Sequence, residues 1–235
     1  MIMRRIFAIG LLIVLIACSK EKKQGNMIVQ GKIDGLKKGT LYLQKMQDTA
    51  LVTVDSIALF GNDSFSLTDN VTSPEMYYLT FDSNTTEKRI MFFGEEGLIT
   101  ISDDVKNFGI KPTIEGLKNQ KVMDQYRQMT GRFQAKNLDI IEANLNAQKE
   151  KDAKKADSLV KAQESLLRRR YLYSVNFALA NADSEAAPYI ALTDLVDANI
   201  KLLDTIYVSL DDNIKNSLYG KKLENFISEI KKNEE

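Results

Sequence analysis

The hydrophobic periodicity of the chain changes near Gly116, and this change limits the folds that the chain can adopt. Before Gly116, short stretches with alternating apolar residues, such as Leu41-Tyr42-Leu43, are separated by turn residues, which is typical of strands with one buried face. After it, apolar residues recur at spacings of three and four, which is typical of helices. The sequence therefore predicts an α+β protein, with an N-terminal antiparallel β-sandwich or open barrel followed by an all-helical C-terminal half.

Strands are predicted throughout the first half of the chain. Clusters of glycine, asparagine and aspartate, such as Gly61-Asn62-Asp63, supply the turns between them. The predicted strands cover residues 27–33, 40–45, 51–59, 64–67, 76–82, 88–93, 98–102 and 111–114.

Helices are predicted from Leu117 almost to the C-terminus. A second helix over residues 152–181 begins polar and ends apolar, so we expect residues 149–155 to be exposed and residues 171–179 to be buried. Shorter helices are predicted at 188–198, 201–209, 211–217 and 221–231. Because such helices cannot bury their apolar faces alone, we expect them to pack on each other and on the edge or open face of the sheet. The first helix is expected to bury Val122, Tyr126, Met129 and Phe133. Leu138, Ile141 and Leu145 follow them and continue the helical spacing.

The N-terminus has the organisation of a bacterial export signal. Arg4 and Arg5 precede an apolar run over residues 6–16. A membrane-crossing helix needs about 20 apolar residues, so this run is too short to be a stable span. The segment Leu15-Ile16-Ala17-Cys18 resembles the lipobox of bacterial lipoproteins. The resemblance implies that residues 1–17 are removed, that Cys18 receives the lipid, and that residues 18–26 tether the folded body to a lipid bilayer.

Composition excludes several classes of function. The chain contains no histidine, which removes Ser-His-Asp triads and most zinc sites. It has 32 basic and 32 acidic residues, and loss of residues 1–17 removes only Arg4 and Arg5 from that balance. No basic excess is therefore present to neutralise phosphates, and we expect no nucleic acid partner. With no phosphate-binding glycine loop either, the sequence predicts neither an enzyme nor a cofactor.

Several short motifs follow one another along the first half of the chain. They are Val29-Gln30-Gly31-Lys32-Ile33-Asp34-Gly35-Leu36, Leu41-Tyr42-Leu43, Val54-Asp55-Ser56, Asp63-Ser64-Phe65, Pro74-Glu75-Met76-Tyr77, the stretch 92–101, and Ile114-Glu115-Gly116. In this order they resemble the uncharacterised β-rich N-terminal domain of Bacteroidota lipoproteins related to thioredoxin-like (AhpC-TSA) thiol-disulfide oxidoreductases.

The resemblance does not carry redox chemistry to this chain. Residues 216–223 are similar to the segment that leads into a thioredoxin domain in those relatives. A thioredoxin module needs a Cys-x-x-Cys pair, because one thiolate attacks a disulfide and a second thiol resolves the intermediate. Cys18 is the single cysteine of this sequence.

Charged clusters have both a functional and a structural interpretation. The carboxylate pairs Asp103-Asp104, Glu95-Glu96 and Asp211-Asp212 suit glycoside hydrolysis or calcium binding, but adjacent acids on a strand point to opposite faces. Arg168-Arg169-Arg170 suits an anionic partner, but three consecutive helical residues spread around the helix. A solvated role is favoured for both.

Four hydroxyl side chains lie in the pattern Asp-Ser/Thr-aliphatic. This pattern resembles the acceptor used for O-glycosylation of exported proteins in the same bacterial group. The candidate sites are Thr49, Ser56, Ser158 and Thr205.

Three functional hypotheses remain open. The first is a non-catalytic interaction or scaffold module of the cell envelope, lipid-anchored through Cys18, facing the periplasm and binding an envelope protein. The second is an accessory subunit of a separate thioredoxin-like oxidoreductase. The third is an unrecognised hydrolase or carbohydrate-binding protein, with Tyr77, Tyr78 and Phe92 lining its pocket. The expected organisation is a signal at 1–17, a tether at 18–26, a β-rich domain at 27–116 and a helical domain at 117–235.

Overall fold

The computed structural model of this protein describes residues 25–82 and 88–234. The predicted export signal and Cys18 lie outside the described residues. Among the described residues, no helix combines the length and the apolar character that a membrane crossing requires.

The first half of the described chain forms two four-stranded sheets. The outer sheet has the strand order β4-β1-β7-β8, and the helix-facing sheet has the order β3-β2-β5-β6. The strands are β1 (Met27–Asp34), β2 (Lys38–Gln47), β3 (Ala50–Phe60), β4 (Ser64–Asp69), β5 (Glu75–Phe81), β6 (Arg89–Gly94), β7 (Gly97–Asp104) and β8 (Thr113–Glu115).

A core between the two sheets makes this half a sandwich. Val29 and Ile99 of the outer sheet pack in one cluster with Leu43 and Phe92 of the helix-facing sheet, and all four are fully buried. In the described part of the chain no strand of one sheet is paired with a strand of the other. The alternating apolar pattern produces this arrangement because side chains on a strand point alternately to opposite faces.

One strand pair departs from the antiparallel arrangement that the sequence predicts. β1 and β7 run parallel, with Met27 opposite Gly97 and Asp34 opposite Asp104, whereas the other five pairs of the described strands are antiparallel. Five strands separate β1 from β7 in the chain, so no tight turn fixes their relative direction. The outer sheet is therefore mixed, because alternation specifies the buried face of a strand but not the direction of its neighbour.

The second half is helical from Lys118 onward. The helices are α1 (Lys118–Lys149), α2 (Ala153–Ala180), α3 (Ala186–Asp194), α4 (Ile200–Ser209), α5 (Asp212–Lys215) and α6 (Leu218–Glu234). α1 and α2 form a long antiparallel hairpin. Asp152 ends the turn between them, and its carboxylate accepts a hydrogen bond from Lys155 N.

The helices pack on the open face of the helix-facing sheet, as expected. Met76 and Phe93 point away from the sandwich core and join a cluster with Met123, Tyr126 and Ile190. The protein therefore has three layers, two sheets and a helical layer, with one apolar core on each side of the helix-facing sheet.

The expected burial of Met129 in α1 is wrong, and the apolar residues that continue its helical spacing are exposed as well. Met129, Leu138, Ile141 and Leu145 are 36%, 66%, 37% and 53% exposed. Besides apolar residues, the buried side of α1 uses small and polar residues, which an apolar pattern does not reveal. The buried residues of α1 are Asn119, Gln120, Met123, Tyr126, Thr130, Ile140 and Ala147.

The contrast within α2 follows the prediction more closely. Residues 149–155 are all exposed. Ser174, Val175 and Ala178 are buried, and Phe177 is partly buried against the cluster on the helix-facing sheet.

Candidate functional site

The outer part of the α1–α2 hairpin forms a helical arm, defined here as residues 130–170. At its base, Tyr126 Oη lies 2.7 Å from Ser174 Oγ. Halfway along, Gln163 Nε2 donates a 3.2 Å hydrogen bond to Asn137 Oδ1. Both contacts belong to one antiparallel register, so the two helices keep a constant seam along the arm.

The base of the arm is fixed to the helical layer. Tyr126 Oη donates a 2.6 Å hydrogen bond to Asp194 Oδ2, and Arg170 Nη2 lies 3.6 Å from the same oxygen. Burial, together with the hydrogen bond to Asp194, raises the pKa of Tyr126. The phenol therefore stays protonated. Because Asp194 is the last residue of α3, its contacts with Tyr126 and Arg170 hold the base of the arm against α3.

One side of the arm is apolar and exposed. The residues of α1 that face α2 form a seam and recur at spacings of three and four. Ile141 lies beside this seam on α1, and Val160 and Leu167 lie in the equivalent position beside it on α2. Because the helices are antiparallel, equivalent positions lie on the same side of the hairpin. Leu138 and Leu145 are one helical turn or less from Ile141 on that side. We call these five residues the apolar face; Val160 and Leu167 are 44% and 49% exposed.

A small cleft lies on this same side of the arm. Its volume is about 40 Å³, and Gln134 and Leu167 form its rim above Phe133 and Leu166. The cleft has room for the tip of one aliphatic side chain.

Charged residues of alternating sign follow the apolar face along α2. Asp157, Lys161, Glu164 and Arg168 are all exposed. None of the four has an ion-pair partner within the described part of the chain. Together with the apolar face, they give the arm the composition of an interface: an apolar centre with a charged margin.

A half-buried ion-pair network lies at the side of the sandwich. Lys45 Nζ is 3.0 Å from both Asp69 Oδ2 and Glu75 Oε1, and Tyr77 Oη donates a 2.7 Å hydrogen bond to Asp69. Burial lowers the pKa of Lys45, but the hydrogen bonds to Glu75 and Asp69 outweigh it and the pKa is raised. Burial also raises the pKa of Tyr77.

This network has no free base or nucleophile. Lys45 remains charged and Tyr77 remains protonated, and each is already paired with a carboxylate. Sequence reasoning missed the network because Lys45 and Glu75 are far apart in the chain and meet only through the pairing of β2 with β5.

Two carboxylates at the end of β7 hold the backbone of the connection between β7 and β8. Asp104 Oδ1 accepts hydrogen bonds from Lys106 N and Asn107 N, both at 2.9 Å. Asp103 Oδ2 accepts a 2.7 Å hydrogen bond from Gly109 N. The hydrogen bonds from Asn107 lower the pKa of Asp104. The two carboxylates therefore stabilise the backbone of the loop that follows them.

The other two acidic pairs differ in their surroundings. Glu95 accepts two hydrogen bonds from Asn119, whereas Glu96 is exposed. Asp212 is 99% exposed and lies 3.7 Å from Lys215, in the short helix α5. Among the residues that the structure describes, no group of three or more acidic residues could hold a metal ion.

The aromatic residues proposed to line a pocket are not brought together. Tyr77 and Phe92 are fully buried inside the sandwich, where their rings stack with centroids 5.9 Å apart. Tyr78 points to the opposite face, because neighbouring residues of a strand alternate, and Arg89 lies over its ring.

The arginine run is divided by the helix. Arg168 and Arg169 are exposed. Of the three, Arg170 alone forms an ion pair with a described residue, Asp194. The favoured solvated role agrees with this arrangement.

The four candidate glycosylation residues are exposed but differ in backbone structure. Thr49 lies in the turn between β2 and β3, Ser56 lies in β3, and Ser158 lies in α2. Thr205 lies in α4, where its hydroxyl donates a 2.7 Å hydrogen bond to Lys201 O. Of the four, Thr49 has the backbone setting most open to an enzyme, since it is in neither a strand nor a helix. Cys18 lies outside the described residues.

Comparison with known proteins identifies one segment. Residues 27–123 match the family described as a domain of unknown function (DUF4369). The match covers the sandwich and the first residues of α1, and it confirms that an uncharacterised domain is present. No curated protein and no solved structure matches the chain.

Proposed function

We propose that this protein is a non-catalytic interaction module of the bacterial cell envelope, held at a membrane by acylated Cys18 and facing the periplasm. The apolar face of the arm carries the interaction part of the proposal. Five exposed aliphatic side chains on one side of a structured hairpin are costly in water unless another molecule covers them. The lipobox resemblance at residues 15–18 carries the anchoring part.

The ionisable clusters of the described residues support the same proposal. Ion pairs or hydrogen bonds within the protein involve the charged groups of Lys45, Asp103, Asp104 and Glu95. A catalytic acid or base needs a side chain that can gain or lose a proton and that lies next to a cleft. The arm, by contrast, presents apolar and charged groups that its own fold leaves uncovered.

The anchor is tested with Cys18→Ala. This variant should lose lipid labelling and leave washed membranes, because a thiol is required to receive the lipid. Ser19→Ala is the matched control and should remain bound. Retention of Cys18→Ala on membranes with an intact N-terminus would show that the anchor has been assigned wrongly.

The interaction is tested by crosslinking in intact cells followed by affinity capture. The double change Leu138→Ser with Leu145→Ser should reduce the yield of crosslinked complex at least several-fold, because it removes apolar area from the arm. Leu172→Ser is the matched control, since Leu172 is 57% exposed on α2 but outside the apolar face. Equal yields from all three proteins would contradict the interaction role of the arm. Recovery of a partner with a Cys-x-x-Cys pair would support the accessory role instead.

A further inference from the structure

We propose that the apolar face is covered by a second copy of this chain, with the two arms antiparallel and forming a four-helix bundle. The inference rests on the proposed function and names the partner of the same arm. Four features of the arm support it: the order of charges on α2, the position of Leu138, the position of the cleft, and the length of the arm.

The charges on α2 are self-complementary. From the start of α2 they read Asp157, Lys161, Glu164, Arg168, with spacings of four, three and four. A two-fold axis between residues 162 and 163 pairs Asp157 with Arg168 of the second copy and Lys161 with Glu164 of the second copy. The same axis repeats both pairs. Four ion pairs therefore form from residues that have none within the described part of one chain.

The same axis places apolar residues at the centre. The register set by Asn137 and Gln163 puts residues 137 and 138 of α1 at the level of the axis. Leu138, the most exposed residue of the apolar face at 66%, therefore lies beside its own equivalent in the second copy. Burial of an exposed leucine pair favours association because apolar area leaves water.

The cleft accepts a side chain of the second copy in this arrangement. Ile141 of the second copy lies opposite Gln134, at the rim of the cleft. An aliphatic side chain entering a hole between residues of a facing helix is the packing found in helical bundles.

The length of the arm also fits. Rotation about the axis brings the turn at Glu150 to the level of Tyr126, at the base of the arm. The hairpins then overlap from Tyr126 to Glu150, about 36 Å for 24 residues at about 1.5 Å per residue.

Disulfide trapping on membranes tests the geometry, using the full chain. Leu138→Cys should give a covalent dimer on mild oxidation, because the two thiols lie beside the axis. Asp139→Cys is the matched control: it is exposed on the next residue but turned about 100° away. Unmodified protein controls for Cys18. A yield from Leu138→Cys no higher than from these two controls would overturn the proposal.

Charge reversal tests the pairing in the Leu138→Cys background. Asp157→Lys with Glu164→Lys makes all four positions basic, and Lys161→Glu with Arg168→Glu makes all four acidic. Each double variant alone should trap at least about tenfold less dimer, because like charges meet across the axis. The two variants expressed together, or all four changes in one chain, should restore trapping. Failure to restore it would overturn the proposal, and restoration also shows that the variants fold.

This result is separable from the proposed function. If the arm traps no second copy but Leu138→Ser with Leu145→Ser still lowers capture of another protein, the interaction role stands and the second copy is the wrong partner. If neither experiment responds to changes in the arm, both proposals fail.

Discussion

Gly31 and Gly131 show that one residue type meets opposite demands in this protein. Gly31 lies in β1, and a Cβ atom there would collide with the carbonyl oxygen of Ile101 in the neighbouring strand β7. Gly131 lies within α1. Apart from its chain neighbours and the backbone of its own helix, no atom of the described residues lies within 4 Å of a Cβ atom placed there. The first glycine is required by the close approach of two backbones, and the second weakens a helix without a compensating contact.

The two glycines should therefore respond to alanine in opposite directions. Gly31→Ala should lower the free energy of unfolding by about 1 to 3 kcal/mol, as expected for overpacking between central strands. Gly131→Ala should raise it by about 0.5 to 1 kcal/mol, because alanine has the higher helix propensity. Urea unfolding followed by circular dichroism measures both, and a loss of stability from Gly131→Ala would show that the arm is packed differently at that position.

Polar contacts at single residues were the least predictable feature. Lys45, Asp69 and Tyr77 are ordinary residues in the sequence, and no spacing links them. Only strand pairing brings them within hydrogen-bond distance. The acidic pair Asp103-Asp104 was visible in the sequence, but its role in holding the loop depends on backbone N–H groups that a sequence pattern does not specify.

At the level of elements, strands and helices were predicted well because each follows a local period. All eight strands and six helices of the described chain fall where alternation or helical spacing predicts them, with differences at their ends. The buried face of α1 was predicted less well. The seam includes Thr130, Asn137 and Ala147, whereas Met129, which was expected to be buried, is exposed. The apolar spacing that continues to Leu138 and Leu145 therefore does not mark the side of α1 that meets α2.

The apolar end of α2 should contribute more stability than its exposed start. Phe177 contacts Tyr126 and Tyr173, with ring centroids 5.2 and 5.7 Å apart, but it is only partly buried. Phe177→Ala should therefore cost about 2 to 3 kcal/mol, somewhat below the value for a fully buried phenylalanine. Lys154→Ala, at an exposed position, should cost under about 0.5 kcal/mol. Equal effects in thermal or urea unfolding would contradict the packing of α2 on the sheet.

At the level of the whole molecule, one polar junction joins the helix-facing sheet to two helices. Glu95, after β6, accepts hydrogen bonds from the backbone and side chain of Asn119 in α1, at 2.9 and 3.0 Å. Asn119 Oδ1 in turn accepts from Ser184 Oγ at 2.6 Å and from Glu185 N at 3.0 Å, just before α3. The sheet and two helices are therefore coupled through a buried amide.

This junction should make stability depend on pH. Burial raises the pKa of Glu95 above its ordinary value of 4.5, although the hydrogen bonds from Asn119 oppose the shift. Because the folded state binds the proton more tightly, this contribution is fully present below the unfolded pKa and is lost as pH rises through the folded pKa. The stability of the protein relative to Glu95→Gln should therefore fall between about pH 4 and pH 7. Urea unfolding at both pH values measures the difference.

The exposed neighbour provides the control for this prediction. Glu96→Gln removes the carboxylate of the adjacent exposed residue and is measured in the same way at both pH values. If Glu95→Gln became relatively less stable as pH rises, the carboxylate would be stabilised rather than destabilised by its surroundings.

The sequence alone determined the α+β class, the position of the change from strands to helices, and the face that each strand buries, because these follow from local periods of two and 3.6 residues. Tertiary structure alone decided the parallel pairing of β1 with β7, the ion-pair network of Lys45, and the side of α1 that meets α2. These features depend on contacts between residues distant in the chain, whose energies arise only when the layers meet. The apolar face belongs to the second group: Leu138 and Leu145 are apolar in the sequence, but only the seam between α1 and α2 leaves them in water.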